Sequence, residues 1–309
     1  MRGLELCEAF YRAHGEPMLQ KAFAPLLPYL ATGLVGSGSE CLGYDDALSR
    51  DHDFEPGFCI FLPDEDTVSR RDAFLLERAY EKLPRCFEGF ERSRLSPVGG
   101  NRHGVLRLRE FLEARTGTPD GVLSLDRLCR LPEQSLLELT AGRVFYDGLG
   151  TLTAVRERLR YFPEDVRRKK LAGELVLLGQ AGQYNLSRCI ERSDEGAARL
   201  CLFETVRHAM HLAFLLDRAY MPYYKWQLRA LRELPRLASL AEPLTELLGG
   251  TPLASACERV DTLCGTLLSF VREEYELPHD VSADLAGYAV ERYIDDPTLR
   301  NAHILFAVD

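Results

Sequence analysis

Lysine is nearly missing from this chain. Only five of its 38 basic residues are lysine, at 21, 82, 169, 170 and 225, and arginine supplies the rest, an imbalance that reads as codon bias. The formal net charge of −9 argues against a broad cationic surface, so long nucleic acid is not an expected partner. Nine cysteines occur without a Cys-x-x-Cys, which removes a zinc ribbon and any disulfide framework and leaves reduced thiols. The longest apolar-looking stretch, 22–36, contains Pro25 and Pro28 and is too short for a bilayer span, so no membrane partner is expected. Arg2 leads into a charged amphipathic stretch rather than a secretory core, and the expected location is the cytoplasm. No low-complexity tract and no internal repeat is visible.

What is present suits two ordinary domains. A chain of 309 residues with 46% hydrophobic content can bury a core in each. Residues 3 to about 30 read as helical, with Leu4, Cys7, Phe10 and Tyr11 at core spacing. Short apolar runs at 33–35, 58–62, 105–108 and 142–147 read as strands, with Asp51 to Phe54 added to the second. A charged helix is expected over 69–83 and helical segments around Pro132. After Leu149 the pattern turns to long helical periodicity. The expected class is α+β, an N-terminal mixed sheet with helices over 1–155 followed by an all-α bundle over 156–309.

The most informative pattern lies in the first half. Gly36-Ser37-Gly38-Ser39 follows the apolar Leu34-Val35, and after an eleven-residue spacer comes Asp51-His52-Asp53. Low side-chain bulk lets a turn bring backbone N–H groups against phosphate oxygens, and the Ser39 hydroxyl would join them. On a strand, Asp51 and Asp53 point to one face and offer the two hard oxygen ligands that suit Mg²⁺ beside a nucleoside triphosphate such as ATP.

Gly38-Ser39, Asp51, Asp53 and the apolar Phe54 resemble the signature of the DNA polymerase β-like nucleotidyltransferase superfamily. Residues 38–46 and 49–54, Gln183-Tyr184-Asn185 with Arg188, and 220–226 look like a bacterial family of predicted nucleotidyltransferases with a helical C-terminal domain of unknown function. This resemblance covers most of the chain. It implies a nucleotidyltransferase-type sheet, Asp51 and Asp53 as catalytic metal ligands, Gly38 and Ser39 as phosphate contacts, and transfer of a nucleotidyl group to an acceptor it does not identify. The superfamily often adds a third acid on a later strand. Here the strand at 105–108 carries Arg107, with Arg109 just after it, leaving Glu110 close by or Asp147 at the end of the next strand; an Asp-Gly there is also a common turn former.

Several further residues carry chemistry. One of Asp45 and Asp46 reads as a cap of the following turn rather than a metal ligand, and Arg50 suits either a phosphate or one of these acids. Over 169–192, Leu171, Leu175, Leu178, Leu186 and Cys189 share one helical face. Gln180, Gln183, Tyr184, Ser187 and Arg188 share the other, which fits a cleft or a solvated surface, and Tyr184 and Arg188 are candidate nucleotide contacts. Tyr220 to Trp226 gathers three tyrosines, the one tryptophan and Lys225, the last a candidate phosphate contact among packing aromatics. Glu204, His208 and His211 fit a partnered polar cluster in a core helix better than a transition-metal site. Two other readings stay open: a nucleotide-binding regulatory module without turnover, and an interaction protein of the toxin–antitoxin kind.

Overall fold

The computed structural model describes residues 1–50, 54–93 and 102–308. Its elements are α1 (Gly3–Phe10), α2 (Glu16–Ala22), β1 (Ala31–Leu34), α3 (Ser39–Leu42), β2 (Cys59–Leu62), α4 (Arg70–Glu81), β3 (Cys86–Phe87), β4 (Phe90–Glu91), β5 (Gly104–Arg107) and α5 (Leu108–Thr116). There follow α6 (Leu125–Arg130), α7 (Glu133–Thr140), β6 (Arg143–Asp147), α8 (Thr151–Arg158), α9 (Glu164–Leu178), α10 (Leu186–Glu191) and α11 (Glu195–Leu216). The last are α12 (Tyr224–Leu231), α13 (Ala241–Leu248), α14 (Leu253–Glu274), α15 (Ala283–Glu291) and α16 (Pro297–Asn301). Two π-helical segments, Tyr11–Gly15 and Gly179–Asn185, sit between α1 and α2 and between α9 and α10. The class is α+β, with a small mixed sheet and many helices in the C-terminal half. Two compact units form, residues 1–123 with 135–160 and residues 124–134 with 161–309.

The first unit is built on a four-stranded sheet in the order β5-β2-β1-β6. β1 is antiparallel to both β2 and β6, whereas β2 and β5 run parallel. The sequences Ala-Thr-Gly-Leu and Cys-Ile-Phe-Leu are buried throughout, because central strands covered on both faces need apolar or small residues on both. Phe10, Tyr11, Leu19, Phe58, Ile60, Leu76, Tyr80 and Phe145 form one core cluster. Elsewhere Phe61 meets Phe111 edge-on at 4.9 Å. Within the cluster the Tyr80 hydroxyl accepts the Phe58 N–H at 3.0 Å, satisfying a buried donor just before β2 begins. At Gly33 the β1–β6 register slips, and a Cβ there would stand 2.6 Å from the Arg143 carbonyl oxygen, so the close approach requires glycine.

The expected helix over 69–83 is α4, opened by the Ser69 hydroxyl accepting the Asp72 N–H at 3.1 Å. The expected helix from 3 to about 30 instead breaks into α1, a π turn and α2, with Phe23 leaving helical geometry ahead of Pro25. Phe54 lies outside any strand, and β2 begins only at Cys59, after Pro56-Gly57.

The second unit is helical and centred on α9 and α11. α9 is buried almost all round although it carries Arg167, Lys169, Lys170 and Glu174, because each charge finds a partner. Arg167 pairs with Glu164 and Glu274, and Lys169 pairs with Glu291 while donating to the Ala302 carbonyl at 2.8 Å. Lys170 donates to the Ala307 carbonyl at 3.1 Å. Desolvated charges are tolerated only in such arrangements. Among the described residues no helix is long and apolar enough to cross a membrane.

Candidate functional site

The antiparallel register of β1 on β2 pairs Gly33 with Cys59, and the parallel register of β2 on β5 pairs Cys59 with Gly104. The turn leaving β1, the segment entering β2 and the segment entering β5 therefore share one end of the sheet. Gly36 and Gly38 have φ of 121° and 125°, and Gly38 has ψ of 148°, a region open essentially to glycine alone. α3 begins at Ser39, with Gly38 as its N-cap. From the β5 side Arg102 donates to the Ser37 carbonyl oxygen at 2.7 Å and pairs with Glu40, clamping the turn.

Beside the turn opens a cleft of about 350 Å³. Gly36 and Ser37 form one wall, Leu34, Cys59, Leu106 and Phe111 contribute apolar surface, and Arg102, Arg107, Arg115 and Glu110 supply charge. Arg107 donates to the Pro63 carbonyl at 2.6 Å. Arg115 lies 4.0 Å over the Phe111 ring and 3.6 Å from Glu138, and its buried Nε has no hydrogen-bond partner among the described residues. Glu110, exposed in the first turn of α5, is the carboxylate on this cleft's lining. Just ahead of β2, Glu55 contacts His103 at 3.4 Å and accepts the Ser93 N–H. Burial pushes the Glu55 carboxyl up, but the His103 and Ser93 hydrogen bonds outweigh it and hold it down at about 2.

Asp51 and Asp53 lie outside the described residues. Asp147 pairs with Ala31 at the start of β1, the far end from the Gly-Ser turn, a separation of roughly 10 Å along the strand. Its carboxylate accepts the Thr153 N–H at 2.8 Å in the first turn of α8. Glu110, not Asp147, shares the cleft with the turn. Asp45 and Asp46 both cap backbone: Asp45 accepts the Gly3 N–H at 2.7 Å, and Asp46 accepts those of Leu48 and Ser49 at 2.9 and 3.1 Å.

Tyr184, Arg188 and Lys225 belong to the helical unit. Tyr184 lies in the π-helical segment, where it lines a cleft of about 480 Å³ with Gln180, Gln183, Ser282, Asp284 and Tyr288. Arg188 stacks on the Tyr184 ring at 3.9 Å, and Gln183 accepts the Ala283 N–H at 2.8 Å. Lys225 is exposed on α12, 4.9 Å over the Trp226 ring, and is not part of that lining. Of the tyrosines around it, Tyr220 is buried edge-on against Phe162 at 4.9 Å, whereas Tyr223 and Tyr224 are exposed.

His208 and His211 are buried, each sharing the Glu174 carboxylate at 2.7 Å. His211 also meets Glu133 through its other ring nitrogen at 2.7 Å. Burial pulls His211 down, yet the Glu133 and Glu174 carboxylates prevail and hold it up at about 10. Imidazole with a carboxylate at each nitrogen is a double donor, hence imidazolium. The partnered-core reading of these histidines stands. Among the described residues no group of three or more His, Cys, Asp and Glu side chains is arranged to hold a metal ion.

Residues 129–227 match a family described as a domain of unknown function (DUF4037). A comparison with curated proteins gave no match. The chain is similar to the crystal structure of a nucleotidyltransferase-like protein from Exiguobacterium sibiricum 255-15, with 15% identity over 91% of this chain and 81% of that one and a TM-score of 0.39. Likeness at that level transfers neither activity nor site residues.

Proposed function

We propose that the protein is a Mg²⁺-dependent nucleotidyltransferase that binds a nucleoside triphosphate in the cleft beside the Gly36–Ser39 turn. The observation that carries this reading is the shared sheet end: the Gly-Ser turn, the entry to β2 and the arginine-bearing entry to β5 converge there. Arg102, Arg107 and Arg115 around a glycine-rich turn suit a triphosphate, since fixed guanidinium groups and open backbone favour phosphate oxygens.

Asp51 and Asp53 are the residues that would hold Mg²⁺, and the oxygen chemistry of two carboxylates fits it. When bound, the ion supplies charge neutralisation at the triphosphate. The protein's own part is to orient the α-phosphorus and to take up a proton. An acceptor hydroxyl forms a bond to the α-phosphorus, the bond to pyrophosphate breaks, and the acceptor proton passes to Glu110. Incubating the protein with each nucleoside triphosphate, Mg²⁺ and cell extract tests this. Pyrophosphate release and an acceptor mass shift of one nucleotidyl group are expected, and both vanish in Asp51→Ala/Asp53→Ala. Equal behaviour of the two proteins contradicts catalysis.

A second reading, nucleotide binding without turnover, is favoured by Arg107, which occupies β5 where the third acid is expected and is tied to the Pro63 carbonyl. Binding that depends on Asp51 and Asp53 but yields no pyrophosphate distinguishes it.

A further inference from the structure

In the helical unit, Cys189 on α10 and Cys201 on α11 bring their Sγ atoms to 3.9 Å. The two helices form a hairpin whose turn is fixed: Ser193 takes φ of 57°, the Asp194 N–H bonds to the Cys189 carbonyl at 3.0 Å, and the Asp194 side chain caps α11 at Ala197. The thiols are thus held facing each other by backbone geometry. Both are half-buried, as is Cys257, whereas Cys7, Cys41, Cys59, Cys129 and Cys264 are buried and Cys86 is exposed.

We propose that Cys189 and Cys201 are a modification site that forms a reversible disulfide by exchange with a low-molecular-weight disulfide of the glutathione class. Closing the sulfurs from 3.9 Å to bonding distance, about 2 Å, asks for side-chain rotation with little movement of the helices. Burial and its contact with Cys189 push the Cys201 thiol up, which suits Cys201 to the second, resolving step and leaves the first attack to Cys189. The Cys189 thiolate attacks one sulfur of the small disulfide and expels one thiolate, giving a mixed disulfide. Cys201 then loses its proton to water, attacks the Cys189 sulfur and expels the second thiol. Two protein thiols lose two electrons, and one small disulfide becomes two thiols. The clamp closes directly beside Arg188, which stacks on Tyr184 of the helical cleft.

The experiment exposes the full-length protein to oxidised glutathione, blocks remaining thiols, and maps peptides by mass without reduction. The expected wild-type product is a cross-linked peptide pair two hydrogens lighter, with no glutathione on Cys189 or Cys201, while Cys86 keeps its adduct. Cys201→Ser is expected to stop at a lasting glutathione adduct on Cys189. Cys189→Ser leaves Cys201 reduced, and dithiothreitol reverses the wild-type cross-link. A persistent adduct on wild-type Cys189, or both thiols still reduced once Cys86 is fully modified, overturns the proposal.

Discussion

Replacing His211 by Gln leaves two buried carboxylates without the cation between them. Glu133 and Glu174 each stand 2.7 Å from a His211 ring nitrogen, and both are more than nine-tenths hidden from solvent. Lys170, 3.9 Å from Glu133, and His208, on Glu174, compensate only in part. Removing one partner of a buried ion pair costs about 3–5 kcal/mol. For a unit of this size that lowers the melting temperature by on the order of 10 °C. Glu174→Gln in the His211→Gln background removes one stranded charge, so the double variant should lose at least about 1 kcal/mol less than the sum of the singles. The pH dependence has a definite sign. His211 is raised from an ordinary 6.5 to about 10, so its contribution is complete below pH 6.5 and is lost as pH rises through 10. Glu174, where burial is outweighed by His211 and His208, is lowered from 4.5 to about 2. Its contribution is complete above pH 4.5 and lost as pH falls through 2. Urea unfolding followed by far-ultraviolet circular dichroism between about pH 2 and 11 measures both windows. A His211→Gln variant within about 1 kcal/mol of wild type throughout, or an imidazole that titrates below pH 7 by NMR, refutes the reasoning.

Tyr80→Phe leaves the buried Phe58 N–H without its acceptor and should cost about 1–3 kcal/mol in urea unfolding. Asp147→Ala removes the contact to the Thr153 N–H and should cost about 1 kcal/mol with nucleotide affinity unchanged, a contrast that binding and unfolding curves read side by side. Glu110→Gln is expected to lower the pyrophosphate release rate by about 10²-fold or more while nucleotide binding persists; equal loss of both would assign Glu110 to binding alone. Gly38→Ala forces a side chain onto φ of 125° beside Arg102 and Glu40, and should weaken nucleotide binding at least tenfold, measured by calorimetry.

Local pattern carried much of the fold. Short apolar runs mark β1, β2, β5 and β6, and the charged amphipathic pattern over 69–83 marks α4. The π-helical segments are not legible because one extra residue in a turn barely alters apolar spacing, although the buried Leu171–Leu186 face is as expected. Which of Glu110 and Asp147 lies at the turn's end of the sheet depends on strand register, which sequence does not display: Asp147 pairs with the first residue of β1, and the Gly-Ser turn follows the last. Arg102 and Arg115 were missed since nothing local distinguishes them among so many arginines. Arg102 meets Glu40 across 62 residues of chain. Glu133 and Glu174 escaped for the same reason, lying 78 and 37 residues from His211.

Calorimetric titration of Mg²⁺ with each non-hydrolysable nucleoside triphosphate into the wild type and Asp51→Ala/Asp53→Ala tests the central claim most directly. At least one nucleotide should bind the wild type in a Mg²⁺-dependent way, with at least a tenfold loss, about 1.4 kcal/mol, in the double variant. Absence of binding by every nucleotide, or equal affinity in both proteins, contradicts a metal-nucleotide site at the Gly-Ser turn.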